Sequence, residues 1–243
     1  MKTQKKLWSA LAALCVATGT VAQPAYNYSK LQKEQLGRGV VAIRENPSDV
    51  VVSWRYLSSD PINTSFNVYR NGEKIAEVPH STGTFYRDTY SGNEKAVYTV
   101  KPVINGVETG KLNGNYTLPA NAPSGYIDIP LDRPAEGVTP SGQKYTYSPN
   151  DASIGDVDGD GEYELILKWE PSNSFDSGKD ARHNGNVYID CYKMNGTKLW
   201  RIDMGMNINA GAHFTQMAAY DFDLDGKAEI ALKTAPGTKD GKN

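Results

Sequence analysis

The sequence predicts an all-β fold, and three observations predict it. Between Leu36 and Pro119 short alternating apolar runs recur at close intervals, at Val50 to Tyr56, Phe66 to Arg70, Thr84 to Asp88 and Ala96 to Ile104. Alternation with a period of two buries one face of a strand and leaves the other to solvent. Asn-Gly pairs follow two of these runs, Asn71-Gly72 and Asn105-Gly106; Asn and Gly best tolerate the positive φ of a two-residue type I′ hairpin turn. From Asn150 onward an acidic loop appears twice, 65 residues apart, and each copy runs directly into an apolar stretch.

Lys2, Lys5 and Lys6, the apolar stretch Leu7 to Ala17 and the small-residue sequence Thr20-Val21-Ala22 make up the three parts of a secretory signal peptide over residues 1–22. The mature chain is therefore expected to be secreted, to the periplasm or the extracellular space. The apolar stretch is shorter than the ~20 residues a spanning helix needs, and no later segment approaches that length, so no membrane span is expected. Residues 31–119 form the next predicted domain. Val52-Ser53-Trp54, Tyr69-Arg70-Asn71-Gly72 and Val97-Tyr98-Thr99-Val100 resemble a fibronectin type III module, with Trp54 as core tryptophan and Tyr98 on a late strand. That resemblance implies a spacer or a wall beside other domains, with no chemistry of its own.

Six prolines between residues 117 and 149, with several glycines, keep helices and central strands from forming. The segment reads as an extended, docked linker, and its piece Gly125 to Leu131 is expected to be the strand that opens a third region, residues 120–243. There Gly155 to Lys168 matches Tyr220 to Lys233, with acids matched at loop positions 1, 3, 5 and 9 and a lysine at the end. Between the copies lies a hairpin, Val187 to Met194, Asn195-Gly196 and Thr197 to Met204. Strand, acidic loop, strand and hairpin are the grammar of a four-stranded propeller blade, lengthened here by a loop insertion from Pro171 to Gly185. Two blades cannot close a ring that takes at least about four. The chain is thus expected to be the front part of a longer protein.

In each acidic loop, carboxylates at positions 1, 3 and 5 converge because Gly at position 6 permits a sharp turn around one cation. Asp156, Asp158, Asp160 and Glu164 would supply side chains in the first loop, with the Glu162 carbonyl. Asp221, Asp223, Asp225 and Glu229 would do so in the second, with the Lys227 carbonyl. Oxygen donors without His or Cys select calcium over zinc, and their number selects calcium over magnesium. An EF-hand would carry Glu at position 12, where these loops have Leu167 and Leu232, so the loops join strands rather than helices.

The 26 basic and 28 acidic residues become 23 against 28 when the leader with its three lysines is removed, a net charge of −5. An acidic chain is a poor partner for nucleic acid, and none is expected. Cys191 is the one cysteine left after residue 22, so no intramolecular disulfide is expected, and its setting in Val187 to Tyr192 reads as a small core hydrophobe.

The tracts Tyr147-Ser148-Pro149-Asn150-Asp151-Ala152-Ser153, Lys168-Trp169-Glu170-Pro171-Ser172-Asn173 and Ala210-Gly211-Ala212-His213-Phe214-Thr215-Gln216, with the first acidic loop, resemble the rhamnogalacturonan lyases of polysaccharide lyase family 11. The resemblance runs from about Leu36 to the end and implies an eight-bladed, calcium-rich propeller with an added small β domain. It also implies cleavage of the pectic polysaccharide rhamnogalacturonan I by β-elimination. Asn150 and Glu170 match positions lining the family's substrate cleft, although the family often carries Asp where Glu170 stands. His213, in a motif of the family, is the catalytic candidate; a lone His between small residues is more often structural. His183 reads as a solvated loop residue, Lys168 and Lys233 as repeat-bound structural lysines, and Trp169 as either a core residue or a sugar platform. A monomer is expected. The alternative is a non-catalytic calcium-binding propeller for carbohydrate binding or adhesion, which has no need of the tracts at 147–153 and 210–216.

Overall fold

The computed structural model describes residues 37–110, 113–176 and 183–241. The predicted signal peptide, the first residues of the predicted 31–119 domain and the centre of the 171–185 insertion lie outside the described residues. Among the described residues the regular elements are strands, and no helix forms.

The first half contributes β1 (Val41–Asn46), β2 (Asp49–Ser53), β3 (Ser65–Arg70), β4 (Glu73–Val78), β5 (Phe85–Thr89), β6 (Ala96–Ile104), β7 (Val107–Glu108) and β8 (Gly114–Leu118). They form a three-stranded sheet in the order β1-β2-β5 and a five-stranded one in the order β4-β3-β6-β7, with β8 also on β6. Burial alternates along β1, β2 and β6, as the sequence pattern demands. The two sheets share one core: Ala42, Val50, Val52 and Trp54 face Phe66, Val68, Tyr98 and Val100. Burying each of the larger side chains contributes about 1.5–3 kcal/mol. Polar groups also tie the sheets: the Tyr98 hydroxyl donates to Asp88 at 2.8 Å, and Arg70 pairs with the same carboxylate at 2.5 Å. Asn71 and Gly72 take φ of 51° and 84°, and Asn105 and Gly106 take 52° and 77°, the turn conformation for which these residues are suited.

The second half contributes β9 (Gly137–Val138) and β10 (Lys144–Tyr145), a short ribbon, then β11 (Tyr147–Gly155), β12 (Glu164–Pro171), β13 (Tyr188–Tyr192) and β14 (Lys198–Asp203), an antiparallel four-stranded sheet in sequence order. β15 (Met217–Tyr220) and β16 (Glu229–Leu232) pair with each other. The repeat is visible in space. β11 and β15 each run into an acidic loop, and β12 and β16 each start on its last acid, Glu164 and Glu229. Ile166, Val187, Ile189, Cys191 and Met204 form the core over which Met217, Ala219 and Ile230 pack. Burial pushes the Cys191 thiol up to about 12, which keeps it an inert hydrophobe.

Two expectations need correction. The strand expected over Gly125 to Leu131 does not form: pairing with the first sheet stops where Ser124 bridges Arg44 and the Gly125 amide donates to the Arg44 carbonyl at 2.7 Å, and Pro123 and Pro130 deny the chain ladder donors. The run Val50 to Tyr56 ends as a strand at Ser53, since the Arg55 amide turns to donate to the Arg38 carbonyl at 2.8 Å.

The described residues belong to one compact unit, and the first pair of sheets meets the first acidic loop. The Arg55 guanidinium lies 4.4 Å from the centre of the Tyr163 ring. Gly37 sits against Gly161 so closely that a Cβ would come within 2.8 Å of the Gly161 carbonyl oxygen.

Candidate metal loops and substrate face

The two acidic loops share one hydrogen-bond pattern. The position-6 amide, Gly161 or Gly226, donates to the position-1 carboxylate, Asp156 or Asp221, at 2.8 and 3.0 Å. The amides of Glu162 and Lys227 donate to Asp160 and Asp225 at 2.8 and 2.9 Å. Those of Val157 and Phe222 donate to Glu164 and Glu229, both at 2.8 Å. Position 4 shows how firmly this path is set: Gly159 occupies it at φ 79°, whereas Leu224 holds φ 65°, a conformation costing an L side chain about 1–2 kcal/mol.

This wrapping gathers carboxylate oxygens of Asp156, Asp158 and Glu164 within 4.8 Å of one another, and likewise those of Asp221, Asp223 and Asp225. Asp160 turns instead to Lys193, whose Nζ lies 2.8 Å from it and 2.6 Å from Asp158. Asp221 is buried, and its Oδ1 has no hydrogen-bond partner. Burial, with the charges of Asp158 and Asp160, pushes the Glu164 carboxyl up to about 7. Hard oxygen donors around an unsatisfied buried carboxylate oxygen fit a divalent cation of the calcium or magnesium type. The loops also touch: the Ala228 amide donates to the Asp156 carbonyl at 2.6 Å, so the position-1 residue of one loop is held by its neighbour.

A second cluster assembles at the other end of β11 and β12. The ladder between them slips between Pro149 and Ala152, throwing Asn150 and Asp151 out as an exposed bulge. Glu170 stands opposite Ser148 in the same ladder. Two residues before it, Lys168 is fully buried. Burying an ammonium costs several kcal/mol unless it is paired and hydrogen-bonded, and here two carbonyls accept hydrogen bonds from it and two carboxylates pair with it. Its Nζ donates to the carbonyls of Gly211 and Phe214, both at 3.2 Å, and lies 3.3 Å from Glu170 and 3.5 Å from Asp151.

The loop carrying those two carbonyls is held from its other side by Asp176. That carboxylate accepts the His213 amide at 3.0 Å and pairs with His213 Nδ1 at 2.5 Å, while the imidazole remains 80% exposed. Gly211 is required, since a Cβ there would meet the Phe175 carbonyl oxygen at 2.5 Å. Thr215 holds φ 60°, an outlier for a β-branched residue, and its buried Oγ1 has no hydrogen-bond partner. Glu170 Oε2 is buried as well, and the Lys168 ammonium lies against it at 3.3 Å. Exposed His213, Asn150 and Asp151, with Glu170 half-buried between them, make a face that can take hydroxyl groups of a ligand.

The remaining candidates separate clearly. Trp169 is a core residue whose Nε1 donates to buried Asp190 at 2.8 Å, so it offers no sugar platform. His183 is an exposed residue of the 171–185 segment, and Lys233 is exposed where its repeat counterpart Lys168 is buried. Asp151, Asp176, Lys193 and Thr215 were not legible as site residues. Asp176 meets His213 across 37 positions and Lys193 meets Asp160 across 33, separations that no local motif spans.

Comparison with known proteins gives two family matches. Residues 126–243 match the model for the C-terminal domain of rhamnogalacturonan lyase family 11, and residues 31–116 match that for the β-sheet domain of rhamnogalacturonan I lyases. The chain is 47% identical over 245 residues to the rhamnogalacturonan endolyase YesW of Bacillus subtilis, covering 99% of this chain and 38% of that protein. It is 49% identical over 213 residues to the exolyase YesX of the same organism, covering 88% of this chain and 34% of that one. The crystal structure of YesW superposes with a TM-score of 0.76 at 51% identity, over 87% of this chain and 35% of that one. A rhamnogalacturonan lyase of Bacillus licheniformis gives 0.75 at 51%, over the same shares. The chain therefore spans less than two-fifths of the length of the curated relatives it matches.

Proposed function

The chain belongs to rhamnogalacturonan lyase family 11, and from that premise we propose that it forms part of a secreted enzyme cleaving the rhamnogalacturonan I backbone of pectin by calcium-dependent β-elimination. In this reading residues 31–119 are a fibronectin type III-like sandwich, and residues 120–243 carry the first blades of a propeller; the protein acts as a monomer. One observation carries it: tracts 147–153, 168–173 and 210–216, distant in sequence, meet around Lys168.

Elimination takes the C5 proton of a galacturonate and breaks the bond from C4 to the glycosidic oxygen. The C5–H electron pair becomes the C4=C5 double bond, and the leaving oxygen takes a proton from solvent. Asn150 and Glu170 hold sugar hydroxyls through their amide and carboxylate. His213 receives the C5 proton at Nε2, with Asp176 fixing the ring from the Nδ1 side. Asp156, Asp158 and Glu164 would hold one calcium and Asp221, Asp223 and Asp225 another, with Asp160, once turned from Lys193, Glu229 and the Glu162 and Lys227 carbonyls completing the two sets. Bound there, calcium neutralises crowded carboxylates and clamps the loops that join the strands.

Calorimetric titration of the chain with rhamnogalacturonan oligosaccharides tests the substrate assignment. Binding is expected, weakened in Glu170→Gln and Asn150→Ala; equal binding of oligogalacturonate, which lacks rhamnose, would contradict it.

A further inference from the structure

We propose that Lys168 is a positioning residue: its buried ammonium sets the geometry of the substrate face by pinning two separate segments to its own strand at once. The inference rests on the reading of that face as substrate-binding and deepens it. Lys168 touches the Asn150-Asp151 bulge through Asp151, the end of β12 through Glu170, and the His213 loop through the Gly211 and Phe214 carbonyls. It is wholly enclosed, so it cannot itself meet a polysaccharide.

Every group assigned to the face is one residue from an acceptor of Lys168, or is one. Asn150 precedes Asp151, Glu170 is a direct partner, and His213 precedes Phe214. The bulge and the strained Thr215 are both conformations that neighbouring structure must impose, and Lys168 is the side chain common to them. For filling space a long apolar side chain would serve as well. A charge held by two carbonyls and two carboxylates, from its own strand and two other segments, instead fixes directions.

The test compares Lys168→Met, which keeps length but not charge, with Lys168→Arg, which keeps charge. In the parent chain, deuterium exchange is read at the amides of 150–152 and 211–216. Lys168→Met should speed exchange in both segments by about tenfold or more and weaken oligosaccharide binding by a similar factor. Lys168→Arg should recover much of each. If Lys168→Met does not fold, Asp151→Asn, at a position 65% exposed, is used in its place. It should loosen 150–152 and leave 211–216 as in the parent.

Unchanged exchange in Lys168→Met, or parent-like binding despite faster exchange, overturns the proposal. So does an Asp151→Asn effect that spreads to both segments or reaches neither. A parent chain that binds no rhamnogalacturonan oligosaccharide refutes the substrate assignment instead. Exchange coupled through Lys168 would then still support the pinning, and its absence would still overturn it.

Discussion

Asp221 carries a carboxylate that the protein chain alone leaves unsatisfied, buried with Oδ1 unpartnered. Replacing it with Asn removes a buried charge and a cation ligand together. Asp221→Asn should lower the calcium stoichiometry by one in calorimetry and shrink the rise in melting temperature on adding calcium. Glu108 shows the opposite situation. The Tyr69 hydroxyl, the Asn67 amide and the Lys101 ammonium hold its carboxyl down to about 2 from an ordinary 4.5. A depressed carboxylate contributes stability that is present above pH 4.5 and lost as pH falls toward about 2. Glu108→Gln should flatten the stability profile in that window, and a profile identical to the parent's would count against it. At this scale the sequence was partly legible. The loop acids announce themselves by spacing, whereas Lys168 is a polar residue inside an apolar run, and its burial depends on partners more than forty residues away.

Turns and strands obey simpler rules, and the acidic loops give a clean case. Gly226 holds φ 95° with open space where a Cβ would go, so Gly226→Ala adds no clash and isolates the backbone cost. That cost should be about 1–2 kcal/mol in urea unfolding, with weaker calcium binding alongside. Strands form as the sequence indicates where alternation is strong, as over Ala96–Ile104. The pattern does not show β4, whose Glu73, Lys74 and Glu77 are the charged residues of an exposed edge. It misleads at Gly125 to Leu131, where prolines outweigh apolar content.

Contacts between distant parts were the least legible. The 65-residue offset predicted two equivalent hairpins and they form, but nothing local indicates that the Arg55 guanidinium stacks on Tyr163 beside the first acidic loop. Such a contact is worth about 0.5–2 kcal/mol. Arg55→Ala should lose about that much stability and reduce the calcium-induced stabilisation of the 41–118 sheets, read by deuterium exchange; exchange there that responds to calcium as in the parent would argue against the coupling. The most direct measurement is the ultraviolet absorbance of unsaturated galacturonate released from rhamnogalacturonan I, by this chain and by a longer chain that carries it, with calcium and after chelation. The account predicts absorbance from the longer chain that requires calcium and falls in Glu170→Gln. No absorbance from either chain in calcium, or product formation unaffected by chelation, would contradict it.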